Sequence, residues 1–108
     1  MYVIRRVYEV KPRAAREAAS LAAEIGRLYH EAGRRSEVTV YFNGTTLPGE
    51  RDVVYMQWTD DVLRSPYGRG EPSIPEATEL GARLRELTVD SWIEFYELLT
   101  PEKAMDLS

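Results

Sequence analysis

Apolar residues in this chain switch between a spacing of two and a spacing of about 3.6 residues, and the order of those switches limits the possible folds most sharply. Residues 2–10 alternate as a strand. Val3, Arg5 and Val7 share one parity; Ile4, Arg6, Tyr8 and Val10 share the other. Lys11-Pro12 ends the strand, because proline has no amide to give to a ladder. Over residues 13–32 the period turns helical, with Ala18, Leu21, Ala22, Ile25, Leu28, Tyr29 and Ala32 on one stripe. Gly33 stands where a left-handed cap belongs, and Arg34-Arg35 suits the negative end of the helix dipole. Residues 37–42 alternate again, setting Val38, Val40 and Phe42 against Glu37, Thr39 and Tyr41.

Asn43-Gly44 and Pro48-Gly49 predict a hairpin over residues 43–52. It leads to a third strand, 53–59, with Val54, Met56 and Trp58 on one parity and Val53, Tyr55 and Gln57 on the other. Thr59-Asp60-Asp61 reads as the cap of a short helical turn through Arg64. Residues 65–75 hold too much proline and glycine for regular structure. Loops of that length are often functional. Ser73 and Glu76 have capping-box spacing ahead of a second helix, whose stripe runs Ala77, Leu80, Gly81, Leu84 and Leu87. Gly81 weakens a helix, so it is expected to mark close packing on the sheet. The last strand, 91–99, sets Ile93 and Phe95 against Trp92, Glu94 and Tyr96.

Strand, helix, strand, strand, helix, strand is the ferredoxin-like βαββαβ pattern, an α+β fold. It predicts a four-stranded antiparallel sheet in order 4-1-3-2 with both helices on one face. Strands 1 and 3 are expected to be parallel neighbours, with strand 4 on the far side of strand 1. One domain over residues 1–99 and a tail over 100–108 account for the length. With 44% apolar and 30% charged residues, the 108-residue chain has the balance of a soluble globular protein. A net charge of -4 gives no footprint for nucleic acid or for an anionic membrane. No apolar run approaches the ~20 residues of a membrane span, and the N-terminus does not read as a signal peptide. The absence of cysteine removes disulfides and thiolate chemistry and fits the cytoplasm.

Two helices cover only one face of such a sheet. If they take the more aliphatic parity, the bare face carries Tyr8, Tyr41, Tyr55, Trp92 and Tyr96, a large aromatic patch for a monomer. A second copy, packed face to face across a two-fold axis, would bury the patch and enclose a cavity. By element order, length and the aromatic last strand (Trp92, Phe95, Tyr96), residues 2–99 resemble the dimeric α/β-barrel superfamily. Its NIPSNAP-like members are nearer than those resembling antibiotic-biosynthesis monooxygenases. The resemblance implies a homodimer with a small-molecule pocket in each barrel. Members include cofactor-independent oxygenases, haem enzymes, isomerases and proteins of unknown activity, and fold alone does not choose among them.

The ligand-binding candidates are Arg6, Tyr8, Tyr41, Tyr55, Gln57, Trp92, Glu94 and Tyr96, gathered round a small apolar or aromatic guest. Arg6 and Glu94 are expected to pair inside the cavity; the plainer alternative is an exposed pair at the sheet's open end, which contributes little. If the protein catalyses, a tyrosine hydroxyl as donor and Glu94 as base, its pKa raised by burial, fit cofactor-independent oxidation or proton transfer. No metal and no cofactor are expected. His30 points off the helical stripe as a solvated residue, Asp60-Asp61 reads as a cap, and Asn43-Gly44-Thr45 reads as a turn. Arg64, Tyr67 and Arg69 are candidates for closing over an anionic ligand. No phosphate loop, zinc spacing or serine elbow is present. The competing class is an assembly module whose aromatic face is only a dimer core; a ligand sensor is a weaker third.

Overall fold

The computed structural model describes residues 1–64 and 71–108. Its elements are β1 (Tyr2–Val10), α1 (Ala15–Glu31), β2 (Thr39–Asn43), β3 (Val53–Asp60), α2 (Pro75–Leu87) and β4 (Thr88–Glu97). The sheet runs β2-β3-β1-β4, and every neighbouring pair is antiparallel. Element order and sheet order are those read from the sequence; the direction of one pair is not. β1 and β3 oppose each other, because the crossover through α1 returns β2 in the direction of β1 and the hairpin then turns the chain back. Asn43 holds that hairpin. Its amide donates to the carbonyls of Leu47 and Glu50 at 2.9 and 2.8 Å.

α1 ends as the pattern predicts, with Gly33 at φ +74° and its amide on the carbonyl of His30. α1 is narrow where it meets the sheet, burying Ala15, Ala18, Ala19, Ala22 and Gly26 beside Leu21 and Ile25. The glycine set by close packing is Gly26, not Gly81. A β-carbon on Gly26 would lie 2.8 Å from that of Val38, whereas one on Gly81 would meet nothing within 4 Å. Two capping expectations also change. Ile74 is the N-cap of α2 and makes no side-chain cap bond, so the Ser73–Glu76 box does not form. Asp60 ends β3 and accepts from the Val62 amide and Arg64 instead of opening a helical turn.

The core lies between the helices and one sheet face: Ile4, Tyr8, Val10, Val54, Met56 and Trp58 beneath Leu21, Ala22, Ile25 and Leu84. Tyr8 is therefore under the helices, not on the bare face. Counting aliphatics in β1 alone, Val3 and Val7 against Ile4 and Val10, settles nothing; the ladder decides the parity. Ile4 pairs with Trp58, Arg6 with Met56 and Tyr8 with Val54, and those partners face α1.

β4 begins at Thr88, directly after α2, and is barely covered on either side. Trp92 and Tyr96 are 39% and 51% exposed on the bare face, and Phe95 is 43% exposed on the other. Residues 98–108 run out over the surface, with Leu99, Met105 and Leu107 largely in solvent. The radius of gyration, 15.3 Å, exceeds the ~13 Å of a compact chain this long. Among the described residues no helix is long and apolar enough to cross a membrane.

Candidate functional site

The sheet divides the eight candidate residues between its two faces. Tyr41, Tyr55, Gln57, Trp92, Glu94 and Tyr96 come together on the bare face; Arg6 and Tyr8 lie on the helix side.

Register builds the bare-face cluster. Tyr41 sits opposite Tyr55 across β2–β3, and Glu94 sits opposite Arg5 across β1–β4. The expected Arg6–Glu94 pair is thus an Arg5–Glu94 pair, since Arg6 has the wrong parity to reach the carboxylate. Arg5 Nε donates to Glu94 Oε1 at 2.8 Å, with Nη2 2.6 Å from the same oxygen. The Tyr96 hydroxyl donates to that oxygen at 2.9 Å and the Trp92 indole donates to Oε2, also at 2.9 Å. The Arg5 guanidinium lies 4.5 Å from the Tyr55 ring centre and 5.9 Å from that of Tyr96. Tyr55 stacks on Tyr41 at 5.0 Å, and the Tyr41 hydroxyl donates to Gln57 Oε1 at 2.8 Å.

These contacts set the chemistry of Glu94. The indole of Trp92, then Arg5 and Tyr96, hold its carboxyl below the usual carboxylate range, against a smaller opposing push from burial. A catalytic base here needs a carboxyl whose pKa is raised by burial; Glu94 is instead an anion satisfied by four donor contacts, and its pKa is lowered. The hydrogen bond to Glu94 pushes the Tyr96 hydroxyl up. Beside the cluster, Trp92, Glu94, Val7, Glu9 and Arg51 line an open depression of about 600 Å³.

On the helix side a second cleft, of about 280 Å³, opens between α1, α2 and the sheet. Arg6 and Tyr8 of β1 and Ser91 of β4 meet Ile25 and Tyr29 of α1 there, with Thr78, Gly81, Leu84 and Arg85 of α2 opposite. The Arg6 guanidinium lies 5.3 Å from the Tyr8 ring centre. Nearby, Arg35 is wedged between Tyr29 and Trp58, at 4.2 and 4.0 Å from their ring centres. Burial, helped by the charge of Arg6, lowers its pKa to about 10. Sequence reasoning placed Arg35 at the helix end and passed over Arg5 and Arg85. Strand register was the available signal for Arg5; Arg85 carried none.

His30 is exposed, its Nδ1 2.9 Å from the carbonyl oxygen of Arg35. Arg64 pairs with Asp60 at 2.8 Å, while Tyr67 and Arg69 lie outside the described residues. Among the described residues no three His, Asp or Glu side chains gather as metal ligands would.

The sequence matches no protein-family model and no curated protein. Solved structures do resemble the chain. A candidate antibiotic biosynthesis monooxygenase from Deinococcus radiodurans is 15% identical and superposes with a TM-score of 0.64, over 100% of this chain and 99% of that one. An uncharacterised NIPSNAP domain protein from Burkholderia xenovorans is 16% identical, with a TM-score of 0.63 over 98% of this chain and 100% of its own. A dimeric protein of unknown function and ferredoxin-like fold from Bacteroides fragilis is 19% identical, with a TM-score of 0.56 over 90% and 96%. The fold is therefore the ferredoxin-like one that antibiotic biosynthesis monooxygenase-like and NIPSNAP proteins share.

Proposed function

We propose that the protein is a cytoplasmic homodimer that binds a small molecule, with the bare sheet faces of two copies packed together as an α/β barrel and one guest held in the helix-side cleft of each copy. The observation that carries this reading is the division of the candidates between two faces. On the bare face these polar groups satisfy one another: Glu94 accepts from Arg5, Trp92 and Tyr96, and Tyr41 donates to Gln57. A hydrogen-bonded aromatic surface of that kind suits burial against a copy of itself. The Bacteroides fragilis neighbour is described as dimeric, which supports the same assembly. The helix-side cleft sets arginine and hydroxyl groups around open space beside apolar walls, the makeup of a small-molecule site.

A second reading keeps the guest between the sheets, among Tyr41, Tyr55, Gln57, Trp92, Glu94 and Tyr96. The depression beside Trp92 and Glu94 favours it. For either site, the reaction class to test is cofactor-independent oxidation or isomerisation of an aromatic guest; the description of the Deinococcus radiodurans neighbour as a monooxygenase supports the oxidation alone. In the cleft Tyr8 is the hydroxyl donor, and Glu94 has no part as base.

Amide shifts in the 15N-labelled protein titrated with indole separate the readings. Shifts at Gly81, Thr88 and Ser91 support the cleft, and shifts confined to Gln57, Trp92 and Tyr96 support the space between the sheets. If indole and a panel of similar-sized aromatics move neither set, the chain is an assembly module.

A further inference from the structure

We infer that the helix-side cleft selects a small organic anion: a monocarboxylate carried on a single apolar ring or short chain. The inference rests on the reading that this cleft is the ligand site, and it adds the charge and size of the guest.

Charge comes first. Arg6 enters from β1 and Arg85 from the last turn of α2, and none of the described residues lining the cleft is acidic. Arg35 stands close enough to Arg6 for their charges to repel. The charged side chains among the described lining are therefore all cationic, although the chain as a whole carries -4. The nearby end of α2 would oppose an anion if its carbonyls were bare, but three of them are engaged. Leu84 accepts from the Thr88 hydroxyl at 2.7 Å, Arg85 from the Thr88 amide, and Leu87 from the Lys11 amide at 2.9 Å. A guanidinium matches a carboxylate in shape as well as in charge.

Size and polarity narrow the class. The cleft's 280 Å³ lies near the lower limit of small-molecule pockets, about 300 Å³, so it admits one ring with a short arm. Ile25, Ala77 and Leu84 supply apolar wall, and Gly81 leaves room where any other residue would project a side chain. A bulky or polyanionic guest fits neither the volume nor that wall.

The test compares 3-phenylpropanoate with its neutral amide, 3-phenylpropanamide, by 1H–15N shift titration of the full chain near neutral pH. The expected result is that the carboxylate moves Gly81, Arg85 and Ser91 and binds about tenfold tighter than the amide. Arg85→Gln, a change at an exposed position, should remove most of that preference, bringing the affinities for carboxylate and amide close together. Equal or tighter binding of the amide overturns the inference and leaves the cleft as a neutral-ligand site; a preference undiminished by Arg85→Gln overturns the part given to Arg85 in selecting the anion. If neither compound nor indole shifts these residues, the ligand-site reading itself fails and takes the inference with it.

Discussion

Arg5 and Glu94 face each other directly across the β1–β4 ladder, their side chains joined at 2.8 and 2.6 Å on the face that the helices leave bare. The pair ties the aromatic last strand to the centre of the sheet and anchors the Trp92 and Tyr96 rings at one carboxylate. About a quarter to a third of each side chain still reaches solvent in the single chain, so its electrostatic contribution there is small. Covering by a second copy would strengthen it, because the same charges would then interact with less water between them.

The pH dependence follows from the direction of the Glu94 shift. Its folded pKa lies below the ordinary value, so the stabilisation is fully present above the ordinary value, about 4.3, and is lost as pH falls through the lower folded value. Glu94→Gln is expected to unfold at lower urea concentration than wild type at neutral pH. Repeating the titrations at pH 7, 5, 4 and 3 should show the gap closing only in the acidic samples. Arg5→Met should reproduce much of the Glu94→Gln loss, and the double variant should cost less than the sum of the two.

The two helical glycines are expected to respond in opposite directions. Gly26→Ala drives a β-carbon into Val38, and the resulting overpacking, of order 1–3 kcal/mol, outweighs the ~1 kcal/mol gain in helix propensity. Gly81→Ala meets nothing and should stabilise by about 0.5–1 kcal/mol. Urea midpoints of the two variants check both signs.

Arg35 acts as a packed side chain as much as a charge. Arg35→Ala removes the layer between Tyr29 and Trp58 and is expected to cost about 1–2 kcal/mol and to change Trp58 emission. Arg35→Lys keeps a cation but loses the flat stack, so it should recover only part of that stability. Fluorescence-monitored unfolding reads both effects.

Element order was legible in this sequence because the elements carry a clear period and every junction but that between α2 and β4 carries glycine, proline or asparagine. Parity in β1 was not. Val3 and Val7 against Ile4 and Val10 is an even contest by composition, and only pairing with Val54, Met56 and Trp58 settles it. That single reversal moved Arg6 and Tyr8 under the helices and brought Arg5 to Glu94. Gly81 misled for a related reason: a helical stripe shows which side faces inward but not how closely the sheet approaches, and the close approach falls at Gly26. The Tyr41–Tyr55 stack and the Trp92–Glu94–Tyr96 array were accessible because β2, β3 and β4 alternate without ambiguity.

Sedimentation equilibrium at micromolar concentration, on wild type and on Trp92→Arg and Tyr96→Arg, bears most directly on the role of the bare face. Wild type should sediment at twice the mass of the chain, and each variant at the mass of one chain with its helical circular dichroism intact. A wild-type protein that stays single under those conditions, with Trp92 emitting as a solvent-exposed indole, would contradict the account.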